Sequence, residues 1–133
     1  KRVTVHGDLR LGNLIVGPDA LHAVIDWEQV HAGSPGEDLG WLCVKAWRFG
    51  AGPPVAGLGA REELLAAYRA AGGADIGLAE LRWWEIFGNL KWAIICIMQA
   101  RTFLDGAVRS VELASLGRRV VEMELELLEL TEE

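Results

Sequence analysis

Three side chains near the start of the sequence have types and spacing that suit joint chemistry: Asp8, Asn13 and Asp26. Two carboxylates and an amide oxygen are hard donors of the kind magnesium takes. In metal-assisted phosphoryl transfer, one carboxylate accepts the proton of an attacking hydroxyl. The amide oxygen and the other carboxylate then hold magnesium against the phosphates of ATP. Asp8 lies in a polar loop, His6 to Gly12, that follows a short β-branched strand, Val3 to Val5. Asn13 opens a second strand ending at Val16, and Asp26 follows a third, Leu21 to Ile25. Gly17-Pro18-Asp19 is a turn signal, so these two strands read as a hairpin that sets Asn13 and Asp26 side by side. Singly, Asp8 reads as a turn residue, Asn13 as a polar strand start and Asp26 as a cap. The three with their neighbours read as a site.

The elements that must position them follow in order. Asp26 to Gly33 reads as a polar loop. Ser34, Pro35 and Glu37 form a helix start with a capping box, and the helix is expected to run to about Phe49. Gly50 to Gly59 is a Gly/Pro loop without the Gly-Lys-Ser/Thr ending of a Walker phosphate loop. Arg61 to Ala71 reads as a helix through Leu64, Leu65, Tyr68 and Ala71. Leu78 to Leu104 reads as a long helix with Trp83, Phe87, Leu90, Ile94 and Ile97 as its buried stripe. Val108 to Leu130 is the last, its apolar face Leu116, Val120, Met123, Leu127 and Leu130, with Glu122, Glu126 and Glu129 opposite.

His6-Gly7-Asp8-Leu9-Arg10-Leu11-Gly12-Asn13 resembles the HGDxxxxN catalytic loop of the aminoglycoside phosphotransferase and choline kinase-like family. Val24-Ile25-Asp26-Trp27-Glu28 resembles that family's metal-binding strand end. Gly33-Ser34-Pro35-Gly36-Glu37-Asp38-Leu39-Gly40 resembles the segment that follows it. Order and gaps also parallel the HRDxxxxN and DFG elements of protein kinases. The motifs cover residues 6 to 40, and beyond them only helical character matches. The resemblance implies Asp8 as catalytic base and Asn13 and Asp26 as magnesium ligands that bind the nucleotide. It implies structural support from His6 and Asp38, the latter bonding backbone N–H groups of the catalytic loop. Position 10, often His in the family, is Arg10 here.

Acceptor-binding candidates are Trp27 and Glu28, beside Asp26, and the face Glu85, Asn89, Trp92, Cys96 and Gln99 of the long helix. In the family the C-terminal helices wall the acceptor pocket. A mixed acidic, amide and aromatic face suits a hydroxylated or cationic acceptor.

Composition bounds the rest. With 133 residues, 51% hydrophobic and 24% charged, the chain suits one globular domain. A net charge of −6 argues against nucleic-acid binding. Cys43 and Cys96 sit in apolar helical stretches and read as reduced core thiols. His22 and His31 read as surface or loop histidines. The sequence shows no signal peptide after Lys1-Arg2, and its most apolar run, Trp92 to Met98, is too short to span a bilayer. A cytoplasmic location is expected.

The expected fold is α+β and mostly helical: the C-terminal lobe of a protein-kinase-like fold, a small β-hairpin with the catalytic loop packed on a helical bundle. Residues 1–133 form that lobe, and the N-terminal ATP-binding lobe is absent. The expected activity is transfer of the ATP γ-phosphate to a hydroxyl of a small molecule, with Mg2+ as cofactor. The isolated lobe is expected to be inactive, because Lys45 and Lys91 lie in helices and cannot serve as the strand lysine that holds ATP. A self-association contact is expected, in which a second copy covers part of the face left open. The alternatives are a non-catalytic kinase-like binding module and, more weakly, a metal-dependent hydrolase using the same carboxylates.

Overall fold

The computed structural model describes residues 2–132; Lys1, which opens the sequence, and Glu133 lie outside them. Among the described residues four short strands precede five α-helices, a mixed α/β architecture that is mostly helical. The chain divides into two compact units, residues 1–85 and 86–133.

In the first unit, β1 (Val3–Val5) pairs antiparallel with β4 (His31–Gly33), in the register Val3 to Gly33 and Val5 to His31. Strand β4 was not expected. Three residues with a glycine and one small apolar side chain carry no alternation, so only the partner strand defines it. Between the two lies the expected hairpin, β2 (Leu14–Val16) and β3 (Leu21–Val24), with Leu14 opposite Val24. A 3-10 turn over Leu11–Asn13 leads into β2, so Asn13 closes the turn where a strand start was predicted.

Helix α1 (Pro35–Cys43) starts where predicted. Ser34 Oγ accepts from the Gly36 N–H at 3.2 Å, whereas Glu37 turns its carboxylate to His31 Nε2 at 3.1 Å. The helix stops well before Phe49. Val44 leaves the helical region, a 3-10 segment covers Lys45–Arg48, and Phe49 is left-handed. The guanidinium of Arg48 takes the Cys43 carbonyl, through Nε at 3.3 Å and Nη2 at 3.0 Å. That satisfies one of the carbonyls a helix end leaves open.

Helix α2 (Arg61–Ala70) and the start of α3 (Leu78–Leu104) complete this unit. Leu39 and Cys43 of α1 pack with Leu65, Ile76 and Leu81, and Val55, Leu64 and Tyr68 close the cluster. Helices α1 and α3 approach closely because Gly40 has no side chain. A Cβ there would lie 2.5 Å from that of Trp84 and 2.9 Å from the Glu85 nitrogen.

The second unit holds the remainder of α3, with α4 (Val111–Leu116) and α5 (Val120–Glu132), the last two separated by a 3-10 turn at Gly117–Arg119. Met123 and Leu130 of α5 are buried as predicted, but so is Glu126, which the sequence placed on the outer face.

The predicted stripe of α3 is reversed. Trp83, Phe87, Leu90, Ile94 and Ile97 are exposed, whereas Leu81, Glu85, Asn89, Ala93 and Cys96 are buried. The helix is apolar around much of its circumference, so periodicity alone could not choose its covered side. Both cysteines are free and buried. Among the described residues no helix is long and apolar enough to cross a membrane.

Candidate active site

The loop after β1 turns sharply at Gly7, whose φ of +88° is one that side-chain-bearing residues rarely adopt. A Cβ there would also fall 2.8 Å from Gln29. The turn aims two successive amides at α1. Asp38 Oδ2 accepts from the His6 N–H at 2.7 Å, and Oδ1 accepts from the Gly7 N–H at 3.0 Å. Asp38 lies in the first turn of α1, where a carboxylate also meets the positive end of the helix dipole.

His6 is buried and joins the two functional segments. Its Nδ1 accepts from the Asp8 N–H at 3.2 Å, and its Nε2 donates to the Ile25 carbonyl at 2.8 Å. The tautomer with its proton on Nε2 meets both. One ring thus fixes the backbone of Asp8 and that of the residue before Asp26. Trp27 lies against the same ring, centroids 4.6 Å apart, and donates its indole N–H to the Val24 carbonyl at 2.7 Å.

Asn13 is 3% exposed. Its Nδ2 donates to the Asp8 carbonyl and to Asp8 Oδ2, both at 2.8 Å. With the nitrogen committed, the amide presents Oδ1 as its remaining acceptor. The Asn13 carbonyl accepts from the Ile25 N–H at 2.9 Å, which extends the hairpin to the residue beside Asp26. Asp26 is exposed and left-handed, with φ of 68°. Strain of this kind in a non-glycine residue concentrates at functional sites.

The remaining contacts of Asp8 come from Trp41, which the sequence did not single out, and from Arg10, named there as the departure at position 10. Trp41 Nε1 donates to Oδ1 at 2.8 Å, and Arg10 Nε donates to Oδ2 at 3.1 Å. Trp41 lies one turn beyond Asp38 on α1, so both project from one helix face toward the loop. That i, i+3 spacing was the available signal. The Arg10 guanidinium also lies over the Trp47 ring, 5.2 Å from its centroid.

The structure therefore brings together Asp8, Asn13, His6 and Asp38, with Asp26 and Trp27 next to the same hydrogen-bond network. Glu28 is exposed beside them. Glu85 departs from the role read for it. It is fully buried, Oε1 accepting from Arg48 at 2.9 Å and Oε2 from Arg61 at 2.7 Å. A carboxylate stripped of water and shared by two guanidinium groups is a structural ion-pair centre, not a face offered to an acceptor. Asn89 is fully buried and Trp92 half-buried, both in the second unit.

Among the described residues, no group of three or more His, Cys, Asp and Glu side chains could hold a metal ion. An amide oxygen with one exposed carboxylate still fits magnesium. That ion keeps several waters and is commonly held by one or two protein ligands together with substrate phosphates.

Residues 1–84 match the phosphotransferase enzyme family (APH), and the chain belongs to that family. A similar fold occurs in the crystal structure of a protein from Ralstonia eutropha JMP134, provisionally named an aminoglycoside phosphotransferase. The TM-score is 0.76 and the identity 24%, over 98% of this chain and 43% of that one. The chain thus spans less than half the length of this solved structure.

Proposed function

We propose that the chain is the catalytic-loop lobe of an ATP-dependent small-molecule kinase, in the manner of the C-terminal lobe of a protein-kinase-like fold. In this reading a separate nucleotide-holding lobe completes the enzyme. The reading rests on one observation: His6 and Asn13 tie the Asp8 loop and the Asp26 hairpin end into one hydrogen-bonded unit. Phosphoryl transfer asks the protein mostly for position and charge, and such a unit supplies position.

In the proposed reaction the acceptor O–H lies within hydrogen-bond reach of the Asp8 carboxylate, which takes the proton. The acceptor oxygen forms a bond to the γ-phosphorus, the bond from that phosphorus to the β–γ bridging oxygen breaks, and the electron pair leaves with ADP. Trp41 and Asn13 hold the carboxylate while this happens. Asn13 Oδ1 and the Asp26 carboxylate are the groups that would hold magnesium, whose charge offsets that of the phosphates when bound. Asp38 acts only through the backbone of His6 and Gly7.

Exposed Ile15, Leu21 and Ile25 give the hairpin an apolar surface beside the site, which supports a covering partner. In the working enzyme that partner is the nucleotide lobe. For the chain alone it is a second copy. Exposed Trp27 and Glu28 support a hydroxylated, cation-bearing acceptor.

The test incubates the full-length enzyme with magnesium, ATP and a panel of small hydroxylated acceptors, reading ADP release. Release that requires an acceptor supports the proposal. Release without acceptor would favour a hydrolase, and magnesium-dependent nucleotide binding without turnover would favour a binding module. The chain alone is expected to show no turnover.

A further inference from the structure

We infer that Arg10 is a phosphate-binding residue of this site, its guanidinium joining the Asp8 carboxylate to the phosphoryl group in transfer. The inference rests on the phosphotransferase reading above.

Among the described residues, only one of the five N–H donors of Arg10 is used: Nε, on Asp8 Oδ2. Among the described residues, Nη1 and Nη2 have no hydrogen-bond partner. The guanidinium is nevertheless seated. Trp47, itself buried, lies under it. Gly12 leaves it room, since a Cβ at that position would fall 2.3 Å from Nη1. The Arg10 side chain is 30% exposed, so the planar fork is fixed at one edge and open at the other.

The chemistry of the open edge follows from distance. A base within about 3 Å of an acceptor hydroxyl, and that oxygen about 3–3.5 Å from phosphorus, put the phosphorus roughly 6 Å from the Asp8 carboxylate. A guanidinium whose Nε already touches that carboxylate carries its outer nitrogens across the same interval. Paired N–H groups in a plane match two phosphate oxygens. A group held on tryptophan before substrate arrives is also preorganised for charge that grows on those oxygens. A lysine could supply charge there but could not grip both carboxylate and phosphate in one plane.

The test uses the chain itself with inorganic phosphate as probe, following the arginine guanidinium resonances by nitrogen-15 NMR, with Arg10 assigned from Arg10→Gln. Saturable, phosphate-dependent shifts of the Arg10 resonances are expected. Arg10→Gln should weaken phosphate binding about 10- to 100-fold, the scale of a charge-assisted contact. Arg10→Lys should recover part of it. Thermal unfolding of each variant monitors the fold, and the wild-type NMR titration stands whether or not a variant folds. An unmoved Arg10 signal at saturating phosphate, no saturable binding, or unchanged affinity in folded Arg10→Gln would each overturn the inference. Phosphate binding through Arg10 in a full-length enzyme that transfers nothing would sink the transfer reading alone. Transfer with no phosphate response at Arg10 would sink this inference alone.

Discussion

The side-chain nitrogen of Asn13 donates twice to Asp8, once to the backbone carbonyl and once to Oδ2, each at 2.8 Å. One amide thereby holds the candidate base at two points and keeps its own oxygen as its remaining acceptor. Asn13→Asp removes the donor and sets two carboxylates against each other, where like charges so close cannot both ionise easily. In the full-length enzyme we expect this near-isosteric change to lower phosphoryl transfer by about 100-fold or more, the cost of losing a preorganised donor. Steady-state ADP release checks it, and a rate within a few-fold of wild type would remove Asn13 from the site.

Asp8→Ala and Asp26→Ala are expected to fail differently. Loss of a positioned base costs about 10²–10⁴-fold in rate while leaving nucleotide affinity nearly intact. Loss of Asp26 should instead weaken binding of magnesium–nucleotide. Calorimetric titration of nucleotide beside the rate assay separates the two. Full activity in Asp8→Ala would refute the role given to Asp8.

Asp38 is expected to matter for stability first. Asp38→Ala strands two amides, those of His6 and Gly7, and bonds to a charged acceptor contribute about 1.5–3 kcal/mol each. Water entering beside the half-buried position 38 would offset part of that. We expect a loss of about 2–3 kcal/mol by urea unfolding, with a smaller loss for Asp38→Asn, which keeps one acceptor. A change below about 0.5 kcal/mol would show that the loop holds its turn without Asp38.

Glu85→Ala should be among the most destabilising single changes in the first unit. It leaves Arg48 and Arg61 without their shared carboxylate, and breaking one side of a buried pair costs about 3–5 kcal/mol. The midpoint of urea unfolding reports it. If Glu85 instead contacted an acceptor, substrate KM would rise with stability unchanged.

Cys43 sets a limit at high pH. Burial, and then the Glu85 carboxylate, push its thiol from 9.0 up to about 12. Above pH 9 the unfolded thiol ionises while the folded one keeps its proton, so the unfolded state binds fewer protons. Stability should therefore fall as pH rises from 9 toward 12, by at most about 1.4 kcal/mol per pH unit. Cys96 is also raised by burial and acts in the same direction. Neither thiol should react with a disulfide reagent at pH 8 until the chain unfolds. Rapid reaction of the native protein would contradict this.

Much of this protein was legible in its sequence because its chemistry is local. Asp8 and Asn13 share one loop, a Gly-Pro-Asp turn brings Asp26 back beside them, and Ser34-Pro35 starts α1 where Asp38 faces the loop. Turn and cap preferences act over a few residues, so residue order alone carries them. Tertiary structure decided what depends on partners distant in the chain. Strand β4 exists because β1 accepts its backbone bonds, and α1 ends where Arg48 takes the Cys43 carbonyl. Trp41 joined the site through a contact to Asp8 across 33 positions. The covered side of α3 was the largest reversal. An acidic residue there reads as solvent-facing until Arg48 and Arg61 are seen to neutralise it, and an apolar stripe reads as core until the packing covers another side. Which side of a helix apolar around much of its circumference is buried is set by its neighbours, because hydrophobic attraction has no direction of its own.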